Sequence, residues 1–146
     1  FFEPATNYRL TNFQAALGRR QLPHLDGWIR ARRELARLYH ARLLPLQEAG
    51  LVSLPSLVAG HSWQTFMVVL SPALDRAAVL SGLKERGIEA NLGAQSLSAI
   101  RIYGAAQGET TVGPMLYQRG LALPFYEKLT VSDLSAIADA LTQCLK

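Results

Sequence analysis

The sequence predicts a single α+β domain, in which a small sheet of three to four strands, antiparallel or mixed, is covered by helices on one side. Three observations carry this. Beyond Pro23 the apolar residues recur at helical steps, Ser62 to Leu70 is rich in aromatic and β-branched residues, and Thr-initiated capping signals stand near both ends of the chain.

The elements follow in order. Thr11-Asn12-Phe13-Gln14 reads as a capping box, which starts a helix near Asn12 with Phe13, Ala16 and Leu17 on one face. Pro23 restarts or kinks it. From there Leu25, Trp28, Ile29, Leu35, Ala36, Tyr39 and Leu43 fall at three- and four-residue steps, predicting a long amphipathic helix that Pro45 and Gly50 close. Val52 to Leu54 makes a short strand, and Ser62 to Leu70 is the main strand, ending at Ser71-Pro72. Asp75 then caps a helix carrying Val79, Leu80 and Leu83, with Gly87 as its left-handed stop. Ile88 to Leu92 is a further strand. Gln95 to Tyr103 fits a helical turn and Gly104 to Gly113 a polar loop. A short helix over 115–120 and a brief strand over Leu121 to Leu123 precede Pro124. Finally Thr130 to Asp133 starts a helix whose buried stripe is Leu134, Ile137, Ala138, Leu141 and Leu145. The central strand–helix–strand piece lacks a Gly-rich phosphate loop, which argues against a nucleotide-binding Rossmann unit.

Composition bounds the function. With 146 residues, 49% hydrophobic and 18% charged, the chain is outside the disordered class and long enough to hold one core without staples. Its one cysteine, Cys144, can make neither an internal disulfide nor a Cys-based zinc site. No stretch resembles a signal peptide, so a reducing, cytoplasmic setting is expected. The longest apolar run, Phe66 to Leu70, is too short to cross a bilayer, so no membrane partner is expected. The chain opens Phe1-Phe2-Glu3-Pro4 without an initiator methionine, as a processed protein or a piece of a longer one would.

The net charge of +4 is concentrated. Phe1 to Arg42 holds Arg9, Arg19, Arg20, Arg30, Arg32, Arg33, Arg37 and Arg42 against Glu3, Asp26 and Glu34, while the rest of the chain is slightly acidic. A solvated arginine-rich helix face explains this more simply than nucleic-acid binding, since no aromatic-studded basic strand, Gly-x-x-Gly clamp or Cys/His finger accompanies it.

Catalytic equipment is sparse. His24, His40 and His61 have no metal-ligand spacing, so no metal is expected, and no serine sits in a nucleophile signature. Lys84, Lys128 and Lys146 all lack the apolar surroundings that would activate an amine. Two stretches are more specific than a core requires. In Asn7-Tyr8-Arg9 an amide, a phenol and a guanidinium stand just before a helix N-terminus, a place suited to an anion. The second is His61-Ser62-Trp63-Gln64, a polar and aromatic entry to the main strand.

Asn7-Tyr8-Arg9-Leu10-Thr11-Asn12-Phe13-Gln14-Ala15-Ala16-Leu17-Gly18 followed by Gln21-Leu22 resembles the start of the C-terminal region in the DegT/DnrJ/EryC1/StrS family of sugar aminotransferases. Arg32-Arg33 and Tyr39, His61 to Gln64, Leu83-Lys84-Glu85-Arg86-Gly87-Ile88, Leu121-Ala122-Leu123-Pro124 and the Thr130 to Leu141 helix recur in the family's order, so the resemblance covers nearly the whole chain. It implies the smaller C-terminal domain of a fold type I, pyridoxal-phosphate-dependent enzyme that moves an amino group, usually from glutamate, to a nucleotide-linked keto sugar. The cofactor-binding lysine, the aspartate on the pyridine nitrogen and the residue stacked on the ring would then lie upstream of residues 1–146, leaving this chain inactive alone. The resemblance also implies a homodimer in which Asn7 reaches the cofactor phosphate of the other subunit with Arg9 nearby, and in which Tyr8, His61, Trp63 and Gln64 lie on the sugar side. Strand-edge packing is the alternative for His61 to Gln64.

One departure stands out. Many members carry a His-Tyr-x-Pro-Leu-His segment after the Gly-Ile turn, where this chain reads Ile88-Glu89-Ala90-Asn91-Leu92-Gly93-Ala94-Gln95. The substitution implies a branch in which Asn91 or Gln95 forms that part of the sugar wall, with Tyr103 as a further aromatic. Two rival readings remain from the residues: a stand-alone basic module for nucleic acid or an acidic partner, and a regulatory family member without catalysis.

Overall fold

A computed structural model describes residues 9–96, 98 and 112–146. Among them are five α-helices and a four-stranded, wholly antiparallel sheet. Helix α1 spans Asn12–Gln21, opened by the expected capping box between Thr11 and Gln14. A single 3₁₀ turn, Leu22–His24, accommodates Pro23 and leads into the 24-residue α2, Leu25–Glu48. The helix runs through Pro45 instead of ending there. Proline removes only one backbone donor, and in the last turn the buried Leu46 anchors the continuation.

Strands β1 (Val52–Ser53), β2 (Phe66–Leu70), β3 (Asn91–Leu92) and β4 (Gly120–Leu123) lie in the order β1-β2-β4-β3. The predicted main strand is shortened at its front because Ser62 to Thr65 turn away from the ladder, and the predicted Ile88 to Leu92 strand keeps only its last two residues. Helix α3 (Arg76–Glu85) links β2 to β3, which run parallel with β4 inserted antiparallel between them. Asp75 caps α3 through the Ala77 amide, and Gly87 has the left-handed backbone, φ 74°, that its position after the helix demands. Helix α4 (Val112–Arg119) runs directly into β4, and α5 (Val131–Cys144) opens on a second capping box, Thr130 with Asp133. Leu97 and residues 99–111 lie outside the described residues, and with them most of the helical turn expected over Gln95 to Tyr103 and of the loop expected over Gly104 to Gly113, whose last two positions belong to α4.

Register and period explain the layering. Phe66 faces Leu123 and Val68 faces Leu121, so one face of the sheet is apolar, and it shares one core with Leu35, Ala36, Tyr39 and Leu43 of α2, Val79 and Leu83 of α3, and the whole predicted stripe of α5. Met67 lies on the other face, over the positions where Gly93 and Gly120 have no side chain. The predicted stripe of α2 divides in two. Its C-terminal part is buried, while Leu25 and Trp28 are 43% and 37% exposed and α1 buries none of its residues. The N-terminal arm therefore extends past the sheet instead of packing on it.

Candidate functional site

The end of the sheet where β2 begins and β4 finishes is built around aromatic rings. Tyr39 stacks on Phe66 at 4.9 Å and donates its hydroxyl to the Pro124 carbonyl at 2.8 Å, while Phe125 and Trp63 pack against the same Phe66. Burial pushes the Tyr39 phenol far above its ordinary value, so it serves as a neutral donor.

Onto this cluster the segment His61 to Gln64 folds as a tight turn. Trp63 is 3% exposed and adopts φ 55°, the left-handed region that bulky side chains avoid at a cost on the order of 1–3 kcal/mol. Its amide donates to Nδ1 of His61 at 2.8 Å, and the two rings lie 4.3 Å apart. That bond assigns the ring proton of neutral His61 to Nε2. The carbonyls, which pair with no strand here, accept from α2. Arg33 Nε donates to the His61 carbonyl at 3.3 Å, and Arg32 Nη1 to those of Trp63 and Gln64 at 3.3 and 3.4 Å. The other nitrogen of Arg32 meets the Glu127 carboxylate at 3.5 Å. A backbone amide first, and then Arg32, hold that carboxyl below its ordinary value, so Glu127 is an anion at neutral pH.

Ser62 and Gln64 leave the turn on the side opposite Trp63 and line a half-open cleft of about 310 Å³. Leu25, Trp28 and Ile29 form its apolar wall, and Arg32 and Glu127 complete its polar rim. An aromatic and aliphatic wall beside hydroxyl, amide and charged groups has the make-up that suits a polyhydroxylated ring. A larger groove of about 690 Å³ lies between α3 and α4. There the Arg76 guanidinium is taken up by the carbonyls of Tyr117 and Gly120, which makes it a cap for α4.

The structure thus brings three of the expected residues, His61, Trp63 and Gln64, into one turn, and divides their labour. Trp63 and His61 secure the turn, whereas Gln64 reaches the cleft. Asn91 and Gln95 stand apart from them. Asn91 sits on the edge strand β3, two strands across from β2, with its side chain accepting from the Leu92 amide at 2.7 Å, and Gln95 is exposed beyond it. Arg9 is exposed just ahead of α1, while Asn7, Tyr8 and Tyr103 lie outside the described residues. Among the described residues, no group of three or more acidic, histidine or cysteine side chains could hold a metal, and no helix is long and apolar enough to cross a membrane. Lys84, Lys128 and Lys146 are all exposed. Sequence reasoning missed Glu127 and the cleft role of Leu25, Trp28 and Ile29. The only signal for the first was Arg32 itself, 95 positions away. The basic run is also partly consumed internally, since Arg32 and Arg33 hold the turn and Arg37 pairs with Glu34.

The model of the DegT/DnrJ/EryC1/StrS aminotransferase family matches residues 3–142. Among solved structures, the aminotransferase TlmJ from Streptoalloteichus hindustanus is similar at 26% identity and TM-score 0.76, over 90% of this chain and 35% of that one. DesV from S. venezuelae is similar at 26% identity and TM-score 0.77, over 99% and 39%. NtdA from Bacillus subtilis, solved with bound cofactor PMP, shares the fold at 24% identity and TM-score 0.81, over 94% and 33%. The chain therefore spans between a third and two-fifths of the length of these structures.

Proposed function

This chain belongs to the DegT/DnrJ/EryC1/StrS aminotransferase family, and we propose that it is the smaller C-terminal domain of a pyridoxal-phosphate-dependent enzyme that transfers an amino group, with glutamate as donor, to a nucleotide-linked keto sugar. The observation that carries the reading is the family match along residues 3–142, joined by a cleft whose wall and rim suit a sugar ring.

When bound, pyridoxal phosphate supplies the electrophilic carbon that takes the amino group and the conjugated ring that drains the adjacent charge. This chain's residues fit only one end of that group. Arg9, with the first turn of α1 behind it and no acidic residue in that turn, favours an anion. In the proposed homodimer Asn7 donates to the cofactor phosphate of the neighbouring subunit, and Arg9 adds positive charge beside it. Tyr8 and the His61 to Gln64 turn belong to the sugar side. Asn91 and Gln95, on the far edge of the sheet, would meet a more distant part of the substrate. We further propose that the reaction takes place in the cytoplasm.

None of the three exposed lysines suits the cofactor, so the isolated chain should be inert. Mixed with pyridoxal phosphate and reduced with borohydride, it is expected to show no stoichiometric attachment at Lys84, Lys128 or Lys146 by peptide mass spectrometry. One lysine labelled to completion at equimolar cofactor would mean that the chain carries its own catalytic amine.

A further inference from the structure

The turn at Trp63 is unstable by itself. A tryptophan at φ 55° reverts to the right-handed side of backbone space unless its surroundings hold it. Aromatic packing holds the ring, but a buried ring does not fix the peptide planes on either side. Those planes decide where Ser62 and Gln64 point. The β ladder gives no help, because β2 begins only at Phe66. What holds the carbonyls of His61, Trp63 and Gln64 is the pair of guanidinium groups on one turn of α2. Arg32 does more than donate to a loop. One of its nitrogens is shared by two successive carbonyls while another meets Glu127, so a single planar group ties together α2, the turn and the segment after β4. The fork can do this because its donors are fixed relative to each other, which a lysine ammonium cannot reproduce.

We propose that Arg32, assisted by Arg33, is the positioning residue of the sugar-side wall: it locks the left-handed turn at Trp63 so that Ser62 and Gln64 are presented, already ordered, to the hydroxyls of the nucleotide-linked keto sugar. The inference rests on the substrate reading given above. Arg32 stands on the rim of the cleft beside Glu127 and orders the wall that the sugar meets. Preordering matters because a binding group displaced by about an ångström loses much of its effect.

The test is made in the intact enzyme with Arg32→Gln, read by two measurements. Hydrogen exchange of the peptide spanning 61–66 is expected to quicken about tenfold while peptides of α5 stay as in the wild type. With a panel of dTDP- and UDP-linked keto hexoses as acceptors, KM for the sugar is expected to rise about tenfold with kcat retained, the mark of lost binding without lost chemistry. Arg32→Lys, which keeps the charge but not the fork, should fall between the two, and it replaces Arg32→Gln if that variant does not fold. Unchanged exchange at 61–66 would show that the guanidinium does not hold the turn. Faster exchange with an unmoved KM would show that the turn does not serve the sugar. A wild-type enzyme that aminates no sugar of the panel defeats the substrate reading instead, and the exchange result then decides on the clamp by itself.

Discussion

Asn7→Ala in the intact enzyme is expected to weaken retention of pyridoxal phosphate by roughly tenfold to a hundredfold, the equivalent of one hydrogen bond to a charged partner, about 1.5–3 kcal/mol. A phosphate carries its charge on oxygens that need donors, and in the proposed homodimer the Asn7 amide supplies one from the other subunit. Arg9→Ala should add to the loss through charge alone, so its effect should shrink as salt rises, whereas that of Asn7→Ala should not. Equilibrium dialysis of the cofactor at two salt concentrations reads both. Unchanged affinity in Asn7→Ala would remove the assigned role.

The largest effect on stability is expected at Phe66. Its side chain is fully buried and stands at the junction of Tyr39, Trp63 and Phe125, with ring separations of 4.9, 5.9 and 6.0 Å. Phe66→Ala removes the common partner of three rings that belong to α2, the turn and the segment after β4. Those elements are tied elsewhere, by Arg32 and the Tyr39 hydroxyl, and cannot close on the void. The expected cost is about 3–5 kcal/mol by denaturant unfolding. Tyr39→Phe is the informative contrast. It keeps the ring and leaves the Pro124 carbonyl without its donor, so about 1–3 kcal/mol is expected. A Phe66→Ala variant within 1 kcal/mol of wild type would mean that the cluster is not the keystone of this end of the fold.

The parts of this fold that were legible in the sequence are those whose cause is local. Thr11 with Gln14, Thr130 with Asp133, Asp75 and Gly87 each announce a helix boundary within four residues, and each boundary lies where the sequence places it. The α5 stripe is a pure period-3.6 signal and is buried throughout. Where the outcome depends on distant partners, local reading falls short. Pro45 stays within α2 because Leu46, one residue on, is anchored in the core. Leu25 and Trp28 continue the periodic stripe of α2 but overrun the sheet, so the same pattern that buries Tyr39 leaves them as a cleft wall. Ser62 to Thr65 have the composition of a strand. Two arginines and a histidine ring bend them into a turn instead, and no residue in that stretch foretells it. The candidate site was legible to the same degree: His61, Trp63 and Gln64 could be singled out as a group, but their division into two supports and one cleft residue, and the contribution of Glu127, depend on packing across 95 positions.

The proposed enzyme, of which this chain would be one domain, transfers an amino group to a sugar. That transfer is tested most directly by incubating the intact enzyme with ¹⁵N-glutamate and the panel of dTDP- and UDP-linked keto hexoses, and following the nitrogen by mass spectrometry. The expected product is a nucleotide-linked amino sugar carrying ¹⁵N, with 2-oxoglutarate formed in equal amount. Transfer of the label to a keto acid but to none of the sugars would contradict the proposal.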